Sequence, residues 1–147
     1  MSALLERLQG DLVAARKAQD KAGTLLLGTI IADAKNRRIE LRHDLSDDDV
    51  IDVVRKGIKR RRESVELFDK GNRADLALKE RAEIETLERY LPPAVDSNDL
   101  RAAVRAAITG GATTMGAVMG RVLPQFKGRA DGGAISAIAR EELAASG

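Results

Sequence analysis

Apolar residues recur along this chain at spacings of three, four and seven, and no stretch sustains the alternation of a strand, so the whole chain reads as helical. A first helix follows Ser2, whose hydroxyl can cap it, and carries Leu4, Leu5, Leu8, Leu12 and Ala15 on one side. Asp20 is placed to cap the second. That helix runs to about Leu41, with Leu27, Ile30, Ile31, Ala34 and Leu41 on one stripe, and a loop of Arg42 to Leu45 follows. Ser46 opens a third helix: its hydroxyl can take a free backbone N–H while Asp47, Asp48 and Asp49 sit at the positive end of the helix dipole. The acidic run is thereby explained without a metal.

The third helix continues through Val50, Val54, Ile58, Val65 and Phe68 to Gly71, expected to close it in the left-handed conformation, and Asn72 is expected to start the fourth. Leu76, Ile84, Leu87 and Leu91 carry the fourth helix to Pro92 and Pro93, whose rings cannot continue it. The fold class is therefore all-α, an N-terminal four-helix domain (1–91) followed by a small C-terminal three-helix domain (92–147). In the second part Ser97 is the expected cap of a helix bearing Leu100, Val104 and Ile108, which ends at Gly110 and Gly111. Thr114 caps the next, through Met115, Val118, Met119 and Val122. Pro124 bends or ends that helix, a loop runs from Lys127 to Gly133, and a closing helix carries Ile135, Ile138 and Leu143.

At 147 residues, 44% apolar and 33% charged, the chain is built to fold rather than remain disordered. With no cysteine and one histidine, His43, disulfides and thiolate chemistry are excluded and a zinc site is disfavoured. The sequence lacks a membrane-length apolar run and a signal-like start, so no membrane contact and a cytoplasmic location are expected. The net charge is only +2, with 19 basic against 18 acidic groups in 1–91 and 6 against 5 in 92–147. Nucleic-acid binding would therefore rest on local patches rather than bulk charge. Phe68, Tyr90 and Phe126 are the only aromatics, too few to stack a run of unpaired bases, whereas folded RNA read through shape and phosphates is allowed.

Arg55, Lys59 and Arg62 form one basic stripe on the third helix, with Lys56 and Arg60 beside it. They are a secondary candidate for gripping phosphates, but the main expectation is a solvated face with pairs such as Lys59 to Glu63 and Arg62 to Glu66. Arg61 falls within the apolar stripe and must snorkel, face a partner, or pair across helices, for which Glu80 or Glu83 is the expected acid. Glu80, Glu83, Glu85 and Glu88 otherwise read as a solvated helix face. His43 beside Asp44 could form a dyad, yet no nucleophile motif accompanies it, so an exposed loop histidine is expected. No catalytic residue, metal ligand or cofactor site is identified.

Met115, Gly116, Met119 and Gly120 place two glycines four apart on a helix, each costing about 1 kcal/mol relative to alanine. Such a pair implies close backbone approach, either to another helix of the same domain or to an RNA backbone. Lys127, Gly128 and Arg129 follow in the loop, with Arg121 before it and Arg140 on the closing helix. Gly132 and Gly133 could offer helix N-terminal amides to a phosphate. Asp131, as a cap, would take those amides itself.

The order M-G-x-V-M-G, then G-R-A-D-G, then an amphipathic closing helix resembles the tail shared by YqeY proteins and the GatB subunit of tRNA-dependent amidotransferases. Lys59, Arg61 and Ser64, Phe68 with Asn72 and Arg73, and the Glu88-Arg89-Tyr90-Leu91-Pro92 joint extend the resemblance over nearly the whole chain. It implies two all-helical parts and a non-catalytic, tRNA-binding accessory role. The implied partners are tRNA or other folded RNA, and beyond these an aminoacyl-tRNA synthetase or an amidotransferase component. The RNA-facing set would be Met115, Gly116, Met119, Gly120, Arg121, Lys127, Gly128, Arg129, Gly132 and Arg140. Two alternatives stand beside it: an amidotransferase-associated activity, carbon-nitrogen ligation with glutamine as amide donor, and a helical protein-protein adaptor. The first finds no Ser-Lys amidase arrangement, ATP-binding loop or cysteine nucleophile in these residues.

Overall fold

The computed structural model describes residues 2–146, and among them every regular element is helical. The chain divides into two compact units, Met1–Leu91 and Pro92–Gly147. The first holds α1 (Ala3–Lys17), α2 (Lys21–Leu41), α3 (Asp47–Lys70) and α4 (Ala74–Glu88). The second holds α5 (Ser97–Thr109), α6 (Met115–Val122), a 3-10 turn over Leu123–Phe126, and α7 (Gly132–Ser146).

Helix starts follow local chemistry. Ser2 accepts from the Leu5 amide at 3.1 Å and Asp20 from that of Gly23 at 2.9 Å. Ser46 and Asp49 form a reciprocal capping box at α3. Two expectations at helix ends are corrected. Gly71 closes α3 at φ −87°, and Asn72 takes the left-handed turn instead at φ 56°. Asparagine tolerates that region; Asn72 therefore does not start α4, whose cap position falls to Arg73 with no side-chain cap bond. Likewise Asp96, not Ser97, caps α5, its carboxylate accepting from Asn98 N at 2.8 Å.

The core of the first unit is built from Leu8, Leu26, Leu27, Ile30, Ile31 and Ala34 against Val50, Val53, Val54, Ile58 and Leu87. Gly57 of α3 lies where an added Cβ would sit 2.8 Å from Ile30 Cδ1, so its missing side chain sets how closely α2 side chains reach α3. Arg61 reaches across to α4: its Nε donates to Glu83 at 2.9 Å and its Nη1 to the Gly57 carbonyl at 2.9 Å, as the interrupted apolar stripe requires. Tyr90, just after α4, donates its hydroxyl to Asp11 of α1 and carries the Arg7 guanidinium 4.7 Å from its ring centre. Burial and that bond push the Tyr90 phenol up to about 12.

In the second unit Leu100, Val104, Ala107, Val118, Val122, Phe126, Ile135, Ile138 and Ala139 form the core. Arg101 and Arg105 of α5 lock onto α7: Arg101 pairs with Glu141 at 2.8 Å and Glu142 at 2.6 Å, and Arg105 with Glu142 at 3.0 Å. The two guanidiniums hold the Glu142 carboxyl below its ordinary range, Arg105 contributing most.

Candidate nucleic-acid interface

The glycine-bearing helix is assembled between two turns. Gly110 ends α5 and Gly111 takes φ 106°, a value that favours glycine. Thr114 then starts α6, its hydroxyl accepting from Ala117 N at 3.2 Å. Helical spacing turns Val118 and Val122 inward, fully buried, while Met115 and Met119 flank the core half-buried. Gly116 and Gly120 consequently face outward. No heavy atom lies within 4 Å of where a Cβ would stand on either. The close approach to another helix of the same domain, expected as one reason for these glycines, is therefore absent, because α6 packs through its valine side.

The cations around this helix divide into occupied and unoccupied groups. Arg121 directs Nη1 to the carbonyls of Gly110 at 3.0 Å and Ala107 at 3.3 Å, completing the end of α5. Arg129 folds back to the Gln125 carbonyl and lies 5.3 Å from the buried Phe126 ring centre. Lys127 and Arg140 are exposed and have no hydrogen-bonding or ion-pair partner among the described residues. Gly128 takes φ 75° in the turn between them. Gly132 sits beside Leu123, whose Cδ2 would meet an added Cβ at 3.7 Å.

At the start of α7 the amides from Gly133 onward are taken by the chain itself. Asp131 receives Gly133 N on its carboxylate at 3.2 Å, and Ala134 N and Ile135 N on its carbonyl at 3.1 and 3.3 Å. The phosphate role expected for Gly133 is corrected accordingly: the chain's own aspartate fills that position.

On α3 the basic stripe is largely committed elsewhere. Arg62 pairs with Glu88 at 3.1 Å rather than with Glu66, and Arg60 with Asp33 at 2.6 Å. Arg55 is engaged as well. Lys59 forms no pair with Glu63 and stays exposed. The pairs run between helices because α4 and α2 bring carboxylates level with the stripe, which the linear spacing does not reveal. His43 is exposed, its Nδ1 2.8 Å from the Asp44 carbonyl, while the Asp44 carboxylate turns to Arg38 at 2.8 Å. The carboxylate is thus not oriented toward the imidazole. Among the described residues no group of three or more potential ligands is placed to hold a metal ion, and no helix is long and apolar enough to cross a membrane.

Sequence reading did not single out Arg101, Arg105, Glu142, Asp11 or Arg7. Each pairs with a residue at least 37 positions away, or with Tyr90, so no local spacing signals it.

Several curated fungal relatives carry the name Altered inheritance of mitochondria protein 41, mitochondrial, three of which follow. That of Pyrenophora tritici-repentis is 32% identical over 132 residues, covering 86% of this chain and 73% of the relative. The Eremothecium gossypii protein is 30% identical over 78% of this chain and 64% of its own length. A Saccharomyces cerevisiae protein is 28% identical over 67% of this chain and 54% of its own. All three are named as mitochondrial proteins, whereas the sequence alone led to an expectation of cytoplasm. A family profile described as Yqey-like protein matches residues 5–143, nearly the entire chain, and the chain belongs to the YqeY-like family.

Proposed function

We propose that this protein is a non-catalytic accessory that binds folded RNA, tRNA in the first instance, through the α6 face and the turn that follows it. The observation that carries the reading is the bare backbone at Gly116 and Gly120, open beyond 4 Å, in the same unit as two cations with no internal partner. A helix accepts the cost of two glycines where something must come close to its backbone, and no part of this unit does. The likeness of the segment to amidotransferase tails supplies the class of RNA. Lys127 and Arg140 provide the sequence-independent phosphate contacts, while Arg121 and Arg129 shape the surface. The location this requires is any compartment that holds tRNA, the cytoplasm or the mitochondrion.

The test is tRNA affinity at several salt concentrations for the parent chain and for Lys127→Ala with Arg140→Ala. Loss of two phosphate contacts should weaken binding to every tRNA alike and reduce the salt slope by up to about two. Lys56→Ala with Lys59→Ala on α3 should change it little. The reverse pattern would move the site to the first unit, and no binding by the parent chain would end the RNA reading.

A further inference from the structure

The guanidinium of Arg129 is fixed in place while still facing solvent. Its Cζ lies 5.3 Å from the centre of the Phe126 ring, and its Nη2 donates to the Gln125 carbonyl. The backbone imposes this fold-back. The Arg129 amide donates to the Phe126 carbonyl at 2.8 Å, and Gly128, at φ 75°, turns the chain just before it. The segment that supports Arg129 is itself held by side chains reaching back one turn at a time. Gln125 Nε2 donates to the Arg121 carbonyl at 2.9 Å, and Arg121 Nη1 to the Gly110 carbonyl that ends α5 at 3.0 Å. Phe126 is buried in the core of the unit, whereas Arg129 stays exposed. Holding a long exposed side chain in one rotamer costs entropy. What it leaves here is a flat cationic group with a ring behind it and an open side in front.

We propose that Arg129, backed by Phe126, stacks one unpaired base of the bound RNA, an inference that rests on the reading of this unit as an RNA-binding surface. Extruded bases lie on arginine planes as they do on aromatic rings, and the cation adds its attraction for the base. A phosphate is the rival ligand for Arg129. Part of the guanidinium's donor edge, however, is already given to the Gln125 carbonyl, while Lys127 is exposed with no internal partner. Lys127 stands two residues earlier, within ~7 Å along the chain, and takes the backbone next to the base that lies on Arg129. Two phenylalanines and one tyrosine cannot stack a run of bases, but a single base needs one such surface only. Paired bases stay stacked on one another inside a duplex, so the ligand is a folded RNA that offers an unpaired base. In the first unit Arg7 lies over Tyr90 at 4.7 Å, but there the Asp11 carboxylate, which accepts from the phenol, repels an RNA backbone. That pair is the control.

Arg129→Lys keeps the charge and removes the plane. Binding of the full chain is measured at several salt concentrations with tRNA and with two RNA duplexes that differ only in one unpaired adenosine. The parent should favour the bulged duplex about tenfold, within what one base stack is worth. Arg129→Lys should erase that preference and weaken tRNA binding about tenfold, with the salt slope unchanged because the charge remains. Lys127→Ala should do the opposite: the preference stays, while both duplexes lose affinity together and the slope falls by about one. Arg7→Lys should alter neither. The preference is a ratio within one protein, so a change in the folded fraction cannot imitate its loss. A parent that binds both duplexes equally overturns the proposal, as does an Arg129→Lys variant that keeps the preference, or equal losses in Arg129→Lys and Arg7→Lys. A parent that binds no RNA at all ends the RNA reading itself, and this site with it.

Discussion

Replacing Gly116 and Gly120 together by alanine should make the second unit more stable. Glycine inside a helix costs about 1 kcal/mol relative to alanine, and evolution retains it where a side chain would collide. Here neither added Cβ has a heavy atom within 4 Å, so the gain is not offset by a clash. Gly116 lies in the first turn of an eight-residue helix, where propensity counts for less. The pair is therefore worth about 1–1.5 kcal/mol, or roughly 4–10 °C in the melting of a unit this small. Gly57→Ala is the built-in control: its Cβ would press to 2.8 Å on Ile30 Cδ1, and Ile30 is fully buried. Overpacking of about 1–3 kcal/mol should outweigh the helix gain there and destabilise the first unit. Thermal and denaturant unfolding followed by circular dichroism reads both signs. The binding assay supplies the second half, since two methyl groups on the open face should weaken tRNA binding several-fold in a protein that has become more stable. A loss of stability in the Gly116 and Gly120 variant would mean that something packs on that face, and unchanged tRNA affinity would mean that RNA does not.

Arg61→Ala should cost about 1–3 kcal/mol in unfolding free energy at constant denaturant slope, because Glu83, 23% exposed, is left without its cation while the Gly57 carbonyl keeps only its helical donor; a change within about 0.5 kcal/mol, as at an ordinary surface position, would deny the pair a structural role. Tyr90 is the only tyrosine and there is no tryptophan, so an ultraviolet absorbance titration reads it alone. Its midpoint should lie near about 12 instead of 10.0, and the stability this neutral phenol supplies should be intact below pH 10 and lost as pH rises through about 12. A midpoint at the ordinary value would remove the Asp11 bond and the burial that cause the shift. Limited proteolysis should leave a resistant fragment ending near Leu91, since the backbone after it runs through Pro92 and Pro93 out of helical structure; first cleavage within α2 or α3 would contradict this.

Where an element is specified by its own neighbours in sequence, it could be read directly. The side-chain caps at Ser2, Asp20, Ser46 and Thr114, and the apolar stripes of α2 and α5, needed only local chemistry and the helical period. Arg61 was legible because a cation inside an apolar stripe demands a partner, and only another helix could provide it. The misreadings have the opposite character. Asn72 took the turn position allotted to Gly71 because both residues tolerate it and the choice depends on how α4 must depart. The glycines of α6 were recognisable as a sign of close approach, but whether a neighbouring helix filled the space depended on which side of α6 carried the buried valines. Arg121 and Arg129 read as free cations since their acceptors, backbone carbonyls, have no signature in sequence. The clamp of Arg101 and Arg105 on Glu141 and Glu142 joins segments some 40 residues apart and could not be paired by spacing.

The hydrogen bond from Tyr90 to Asp11 joins residues 79 positions apart, the widest separation among the side-chain bonds described above. During synthesis α1 leaves the ribosome first and its partner at the end of α4 last. Until residue 90 has emerged, α1 can pair with α2 but Asp11 has no phenol to hold and Arg7 no ring to cover. The helices of the first unit can therefore pack in order, but the tie between its two ends forms only when its last few residues have arrived. The two prolines emerge just behind Tyr90, so that tie forms as the segment that leads into the second unit emerges.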